Sequence, residues 1–479
     1  MRYPGFIDGT YTVDDVMAGN ERTLNLFPEI YENQKGKNAV HLLGTPGLDL
    51  LRDVGNGGPI RGISWPIATI GEKYYFMVAS GTKLYWVEYN GQSQIEIGTI
   101  ADDANHTPVD FAYHDGNWLI VSAGTAYTLT GPSTVAAISD LSSLAGSLRG
   151  AVYLDGYFIT CNGGSFFISE LEDPTTWDLT QFGTPTGGCA YLKEVNGELW
   201  TQGGLATEVQ YDAGSANFPF QRLPGSRVSQ GARYPYSMAI VNNSVVWVGL
   251  DDNGGGVVWQ SVNFVPKRIS NHGVEKRLND YWDTTTEITK VFAWTYREKG
   301  HEFYCLNLDA VITLVYDSNT GRWHERAYVS GGSEYAHLCR CHSFVSNTHM
   351  AGSRVDGKIY VLSKNLYDDD GVPILRLRRA PHLNEEGKNF QYNNFQLDLD
   401  VGTASTEADP DLVYMRYSDD GGKTFTTATG KPMGTTSNKK TRVRWNRLGS
   451  SRDRVFEVYS YAAIRHCWTD AFLNNRSDK

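Results

Sequence analysis

A unit of three short strands, punctuated by Asp-Gly and Asn-Gly turns, recurs along this chain and constrains its fold more than any other feature. Its clearest copy is residues 149–178, RGAVYLDGYFITCNGGSFFISELEDPTTWD. Apolar segments 151–154, 157–161 and 165–169 are separated by Asp155-Gly156 and Asn162-Gly163-Gly164. Asp-Gly and Asn-Gly supply the positive φ angles that tight hairpins need. Such a meander has two unpaired edges and cannot cover its own faces, so it predicts several units packed together.

The unit returns at residues 111–130, 191–211, 238–260, 291–316 and 354–362, with a weaker copy at 63–89. Taking the first turn of each at 71, 116, 156, 197, 243, 300 and 357 gives steps of 45, 40, 41, 46, 57 and 57 residues. Repeats of about 40–50 residues with several strands each are the signature of β-propeller blades, although solenoids and stacked sandwiches share part of it. Radial stacking buries both faces of every sheet and leaves only short edges. The expected fold is an all-β propeller of six to seven blades, with an N-terminal arm and a C-terminal β-sandwich.

The expected division is 1–60 for the arm, 61–372 for the propeller and 373–479 for the sandwich. In the arm, residues 14–25 suggest a short helix, 32–38 a polar loop, 39–43 a strand and 44–48 a turn. Such an arm would either close the ring or reach a neighbouring subunit. Between the fifth and sixth blades, Val274, Leu278 and Tyr281 at i, i+4 and i+7 predict one amphipathic helix, with Asn271 as its cap. From residue 390 the pattern changes to longer alternating strands at 395–400, 412–417, 441–444 and 455–461, as in a sandwich.

Net charge is −11, which argues against tight wrapping of nucleic acid, since that needs clustered Lys and Arg. An acidic wall would instead keep passing DNA from adhering. No run approaches the roughly 20 apolar residues of a membrane span, and residues 1–15 do not read as a signal peptide. The six cysteines are scattered, as expected of reduced, buried thiols.

Four motifs bear on chemistry. Ser418, Asp420, Gly422, Thr424 and Phe425 fit the Asp-box pattern found in sialidases and other propellers. It occurs here once and outside the blades, so its expected work is to fold a hairpin. His337, Cys339 and Cys341 alternate along a strand and would project to one face as zinc ligands. Neighbours at i and i+2 make an awkward tetrahedron, and small apolar Cys facing a core is the preferred reading. Acidic groups at Glu170-Glu172-Asp173, Asp251-Asp252 and Asp368–Asp370 lack the alternation of a Ca²⁺ loop and read as solvated turns. Residues 431–454 hold eight Lys or Arg and one Asp around Trp445, a surface for DNA or an acidic partner, or a solvated strand pair. No phosphate-binding loop or nucleophile elbow is present. The sequence therefore assigns no catalytic, cofactor-binding or metal site, and no enzyme activity.

Three segments, in order, resemble a known family. They are NLFPEIYENQKGKNAVHLLGTPGL near the N-terminus; the Asp173-Pro174-Thr175-Thr176-Trp177 exit of the third blade with Gly225-Ser226-Arg227 and Arg268-Ile269-Ser270 after it; and the closing PILRLRRAPHL, NNFQLDLDVG and RVRWNRLGSSRDRVFEV. Together they resemble the tail nozzle, or packaged-DNA stabilisation protein, of short-tailed bacteriophages. The resemblance implies a structural virion protein assembled in the host cytoplasm as a homohexameric ring. It implies a place below the portal and its adaptor, a channel for double-stranded DNA, genome retention until ejection, and a dock for fibres, spikes or a needle. A glycan-degrading propeller and a monomeric binding module are the alternatives. The first would gather carboxylates in a central funnel.

Overall fold

In a computed structural model of the chain, residues 1–12, 19–30, 39–130, 134–251, 253–284, 287–384, 387–400, 411–435 and 442–474 are described. Seven four-stranded antiparallel blades follow one another. They begin with the strands Ile60–Ile70, Asp110–His114, Arg149–Leu154, Tyr191–Val195, Ala239–Val241, Val291–Glu298 and Cys339–Val345. The hairpins form where the turn residues lead. Asp115, Asp155 and Asn196 take φ of 44°, 49° and 55°, each followed by a glycine at positive φ.

Each adjacent pair of blades shares an apolar cluster, and the ring therefore buries both faces of every sheet. Trp86 meets Trp118 between blades 1 and 2, and Trp200 packs with Trp247 between blades 4 and 5. The last cluster joins Val345, Met350 and Ile359 of blade 7 to Ile60, Phe76 and Val78 of blade 1. Burying such a side chain contributes roughly 1.5–3 kcal/mol each.

The seventh blade departs from the regular repeat. Its first hairpin turns at Ser346-Asn347, both at positive φ, whereas Asp356-Gly357 lies between its second and third strands. Its fourth strand comes from the N-terminal part of the chain: Gly47–Asp53 pairs antiparallel with Lys358–Ser363. The long step between the fifth and sixth units is the inserted helix His272–Thr284. Asn271 caps it, its Oδ1 accepting from the Val274 N–H at 2.9 Å, and Val274, Leu278 and Tyr281 are buried against blade 5.

The described part of residues 1–44 belongs to the sandwich. One of its sheets runs Leu26–Ile30, Val40–Gly44, Cys467–Leu473, Asn394–Leu399, Val443–Asn446. The other runs from the outer strand of blade 6, Arg322–Ser330, through Asn20–Leu24 to Arg376–Arg379, Asp453–Ser460, Leu412–Ser418 and Thr429–Pro432. Tyr3, Phe6, Phe395, Trp445, Phe456 and Trp468 fill the space between them. The helix expected over 14–25 is replaced at Asn20–Leu24 by a strand, and 14–18 lie outside the described residues. Two sheet edges flank this segment, and pairing with both satisfies backbone groups that a helix would leave facing those edges. The expected loop at 32–38 also lies outside the described residues.

Candidate functional site: a filled propeller axis and a clasped arm

Contacts that skip a blade fit only at the propeller axis, and several do. The Tyr191 hydroxyl on blade 4 donates to Asp110 on blade 2 at 2.5 Å, with Lys193 at 3.5 Å. Arg340 on blade 7 donates to the His106 carbonyl, beyond blade 1, at 2.6 Å. Residues 101–109, linking blades 1 and 2, cross the end of the bore. There the Asn105 amide donates to Glu287 at 2.9 Å and Thr289 at 3.1 Å, ahead of blade 6.

This crossing is held by a buried cation. Arg61 donates to the carbonyls of Thr107, Gly81 and Ala101 at 2.8–2.9 Å and pairs with Asp102 at 3.2 Å. Burial lowers its pKa, and Asp102 and Asp103 only partly offset that. Asp102 also meets His106 at 2.8 Å, while Asp103 accepts from the Asn105 and Thr107 amides and the Thr107 hydroxyl. The axial carboxylates are thus engaged by the protein itself, as structural ties.

The second cluster joins the arm to the rest. Arg378, fully buried, donates to the carbonyls of Phe6 at 2.6 Å, Gly5 at 2.7 Å and Gly9 at 2.9 Å, and to the Thr23 hydroxyl at 2.8 Å. The Asn25 amide donates to Ala327 and Leu375, bridging blade 6 and the sandwich. Burial would raise the Glu325 carboxyl, but Arg22 at 2.7 Å holds it below the usual range. Glu457, also fully buried, takes Arg379 and Arg416 at 2.7 and 2.6 Å. His301 of blade 6 lies between Asp317 at 2.8 Å and Glu29 of the arm at 2.9 Å. Burial opposes its protonation, yet the two carboxylates raise its pKa to about 9.

The motifs singled out in the sequence have separate fates. His337, Cys339 and Cys341 do not share a face, because a bulge between Cys339 and Cys341 breaks the alternation. Cys339 enters the cluster between blades 6 and 7, Cys341 the one between blades 7 and 1, and Arg340 turns to the axis. His337 Nδ1 accepts the Cys339 amide at 3.2 Å. Among the described residues, no three His, Cys, Asp or Glu side chains gather as a metal site. Asp420 accepts from the amides of Lys423 and Thr424 and the hydroxyls of Ser418 and Thr424, which holds its carboxyl well below the usual range. Phe425 sits beneath Arg379 and Arg416 at about 5 Å. Asp419 pairs with buried Arg454 at 2.6 Å. The Asp-box thus folds a hairpin onto the sandwich.

Asp173 and Asp251 accept local amides and make turns, and Asp252 lies outside the described residues. Asp369 corrects the reading of its cluster as solvated: it is buried in a short strand paired parallel to the closing strand. The basic stretch divides. Trp445 and Arg454 are buried, Arg444 donates to Gln396 at 2.6 Å, and 436–441 lie outside the described residues. Sequence reasoning missed the buried arginines 61, 326, 340, 376, 378 and 454. The alternation of Leu375-Arg376-Leu377-Arg378 was the available signal for two of them, since it puts both arginines on one side of a strand.

Residues 6–367 match the family model described as bacteriophage P22 Gp10, beta-propeller, and residues 376–472 the one described as bacteriophage P22 Gp10, beta-sandwich. No curated protein matches the chain. Among solved structures, an inactive variant of virginiamycin B lyase from Staphylococcus aureus with quinupristin is similar at 12% identity and a TM-score of 0.43, over 66% of this chain and 99% of that one. The Pan2 WD40 domain of Neurospora crassa is similar at 10% and 0.40, over 66% and 96%. YCF48 from Cyanidioschyzon merolae is similar at 9% and 0.41, over 66% and 98%. At these scores the likeness carries no functional argument.

Proposed function

The chain belongs to the family of bacteriophage P22 Gp10, carrying its propeller and sandwich in that order, and on this premise we propose that it forms the nozzle ring at the end of a phage tail. That it is a structural protein of a bacteriophage tail follows from the family. The finer reading is a homohexamer below the portal and adaptor. In that place it closes and extends the DNA channel, retains the packaged genome, opens for ejection, and offers its outer surface to fibres, spikes or a needle. The observation that carries this reading is the family match across both folded parts of the chain.

The molecule is suited to that work. Residues 101–109 cross the propeller axis and are tied there by Arg61 and Arg340, which supports a conduit formed between subunits rather than through each propeller. Net charge of −11 lets double-stranded DNA pass without sequence-specific adhesion. Among the described residues no helix is long and apolar enough to cross a membrane. Asp102, Asp103 and Asp110 at the axis are each held by neighbouring donors, which supports a structural role for them.

The test is deletion of the gene from its source genome, with electron microscopy of the lysate. Emptied or leaking heads that keep the portal and lack the distal tail are expected. Filled, tailed particles that fail only to bind or degrade host glycans would overturn the nozzle reading and favour a glycan-directed propeller.

A further inference from the structure

Where blade 6, blade 7 and the sandwich meet, the interior holds more positive than negative charge. Arg326 and Arg376 are at most 1% exposed. Arg326 donates from Nη2 to the Pro46 carbonyl at 2.8 Å, but its Nε and Nη1 find no protein acceptor. Arg376 reaches the Tyr367 carbonyl from Nη1 at 3.4 Å, and its Nε and Nη2 find none. Asp369, buried beside both, makes no hydrogen bond with Oδ1. Three imidazoles border the cluster. His324 and His337 lie near Arg326, and His466 lies near Arg376; burial and these guanidiniums hold all three neutral. Gly44 packs directly against this guanidinium, since a Cβ at that position would lie 2.8 Å from Arg376 Nε.

We propose that Arg326 and Arg376 form an internal site for a small inorganic anion of the halide class, closed over by the turn at Gly44–Pro46. Four buried guanidinium nitrogens with no protein acceptor, on two cations that share one neighbouring carboxylate, require an acceptor and a negative charge. A halide supplies both without demanding directional bonds. Asp369 does not meet the requirement alone. Burial raises its pKa to about 7 despite both arginines, so near neutrality it supplies only part of a charge. An anion at this point would tie the propeller to the sandwich and the arm, because its donors come from blade 6 and the sandwich strand Arg376–Arg379 and its cover from the arm.

The test uses the full-length protein. Crystals soaked in sodium bromide, with diffraction measured at the bromine edge, are expected to show an anomalous peak between Arg326 and Arg376. In solution, the melting temperature is expected to rise and saturate as chloride replaces gluconate at constant ionic strength. Arg376→Met should abolish that rise. Asp369→Asn removes the competing carboxylate and keeps every donor, so it should move the chloride midpoint to about tenfold lower concentration. It also keeps the test decisive if Arg376→Met does not fold. No bromine peak, with water on these donors instead, would overturn the proposal, as would a chloride response unchanged in Asp369→Asn.

Discussion

Replacing Arg378 by Met should free the N-terminal arm. Four acceptors converge on this guanidinium: the carbonyls of Gly5, Phe6 and Gly9 and the Thr23 hydroxyl, at 2.6–2.9 Å. Hydrogen bonds from a charged donor are worth about 1.5–3 kcal/mol each, so four amount to roughly 6–12 kcal/mol gross. Removing the cation also removes its desolvation cost, several kcal/mol for a fully buried charge. The difference leaves about 3–5 kcal/mol. That is two to three and a half orders of magnitude in the opening equilibrium of the arm. Hydrogen–deuterium exchange on peptides covering residues 1–12 and 19–30 reads that equilibrium directly. Arg322→Met is the control. Arg322 pairs with Asp8 of the same arm at 3.1 Å, but both side chains are about half exposed, so its loss should cost at most about 1 kcal/mol. If both variants exchange within about fivefold of the parent, the clasp is not what holds the arm, and the reasoning fails.

Other consequences can be checked in the same way. His301 gains protonation on folding, its pKa rising from 6.5 to about 9, so its contribution is fully present below pH 6.5 and lost as pH climbs through about 9. At about 1.4 kcal/mol per unit this is at most about 3 kcal/mol, and His301→Gln should flatten the decline in unfolding free energy between pH 6.5 and 10; an unchanged slope would remove the Asp317–His301–Glu29 relay as its cause. Asp420→Ala should raise amide exchange at Lys423 and Thr424, whose N–H groups it accepts, and leave the blades unaffected. Asn271→Ala should cost the helix about 1 kcal/mol, read as faster exchange in its first turn, with no change if the cap is idle.

What the sequence shows of this fold follows from the range of each interaction. Hairpin turns are legible because Asp155-Gly156 and its counterparts meet a local demand, positive φ, that few residue pairs satisfy. The helix is legible for the same reason, since Asn271 and the spacing of Val274, Leu278 and Tyr281 act within three turns. The seventh blade is half-hidden because its fourth strand, Gly47–Asp53, lies some 300 residues away, and no local pattern says which edge a strand will join. Polar Asn20–Leu24 reads as helical in the sequence because the two edges it pairs with lie far along the chain. The buried arginines are least legible. A basic residue reads as solvent-facing unless its acceptors are known, and those of Arg61 and Arg378 are mostly backbone carbonyls, which every residue offers.

The same distances govern how the subunit comes together. The ring closes only when Gly47–Asp53 meets Lys358–Ser363, and the sandwich only when Val40–Gly44 meets Cys467–Leu473. At the extreme, the N-terminal ammonium donates to the Leu473 carbonyl at 2.7 Å. Contacts of such separation carry the entropy of closing nearly the whole chain before they return any stability, so they form late. Until then the arm, the last blade and half of each sandwich sheet have open edges. A chain stopped before the sandwich would present those edges to other copies, with the hazard that unpaired strands bring. Once closed, one sheet runs without a break from blade 6 through Asn20–Leu24 into the sandwich. Continuous sheet resists hinging between blade 6 and the sandwich, so in the proposed ring an opening movement is expected between subunits.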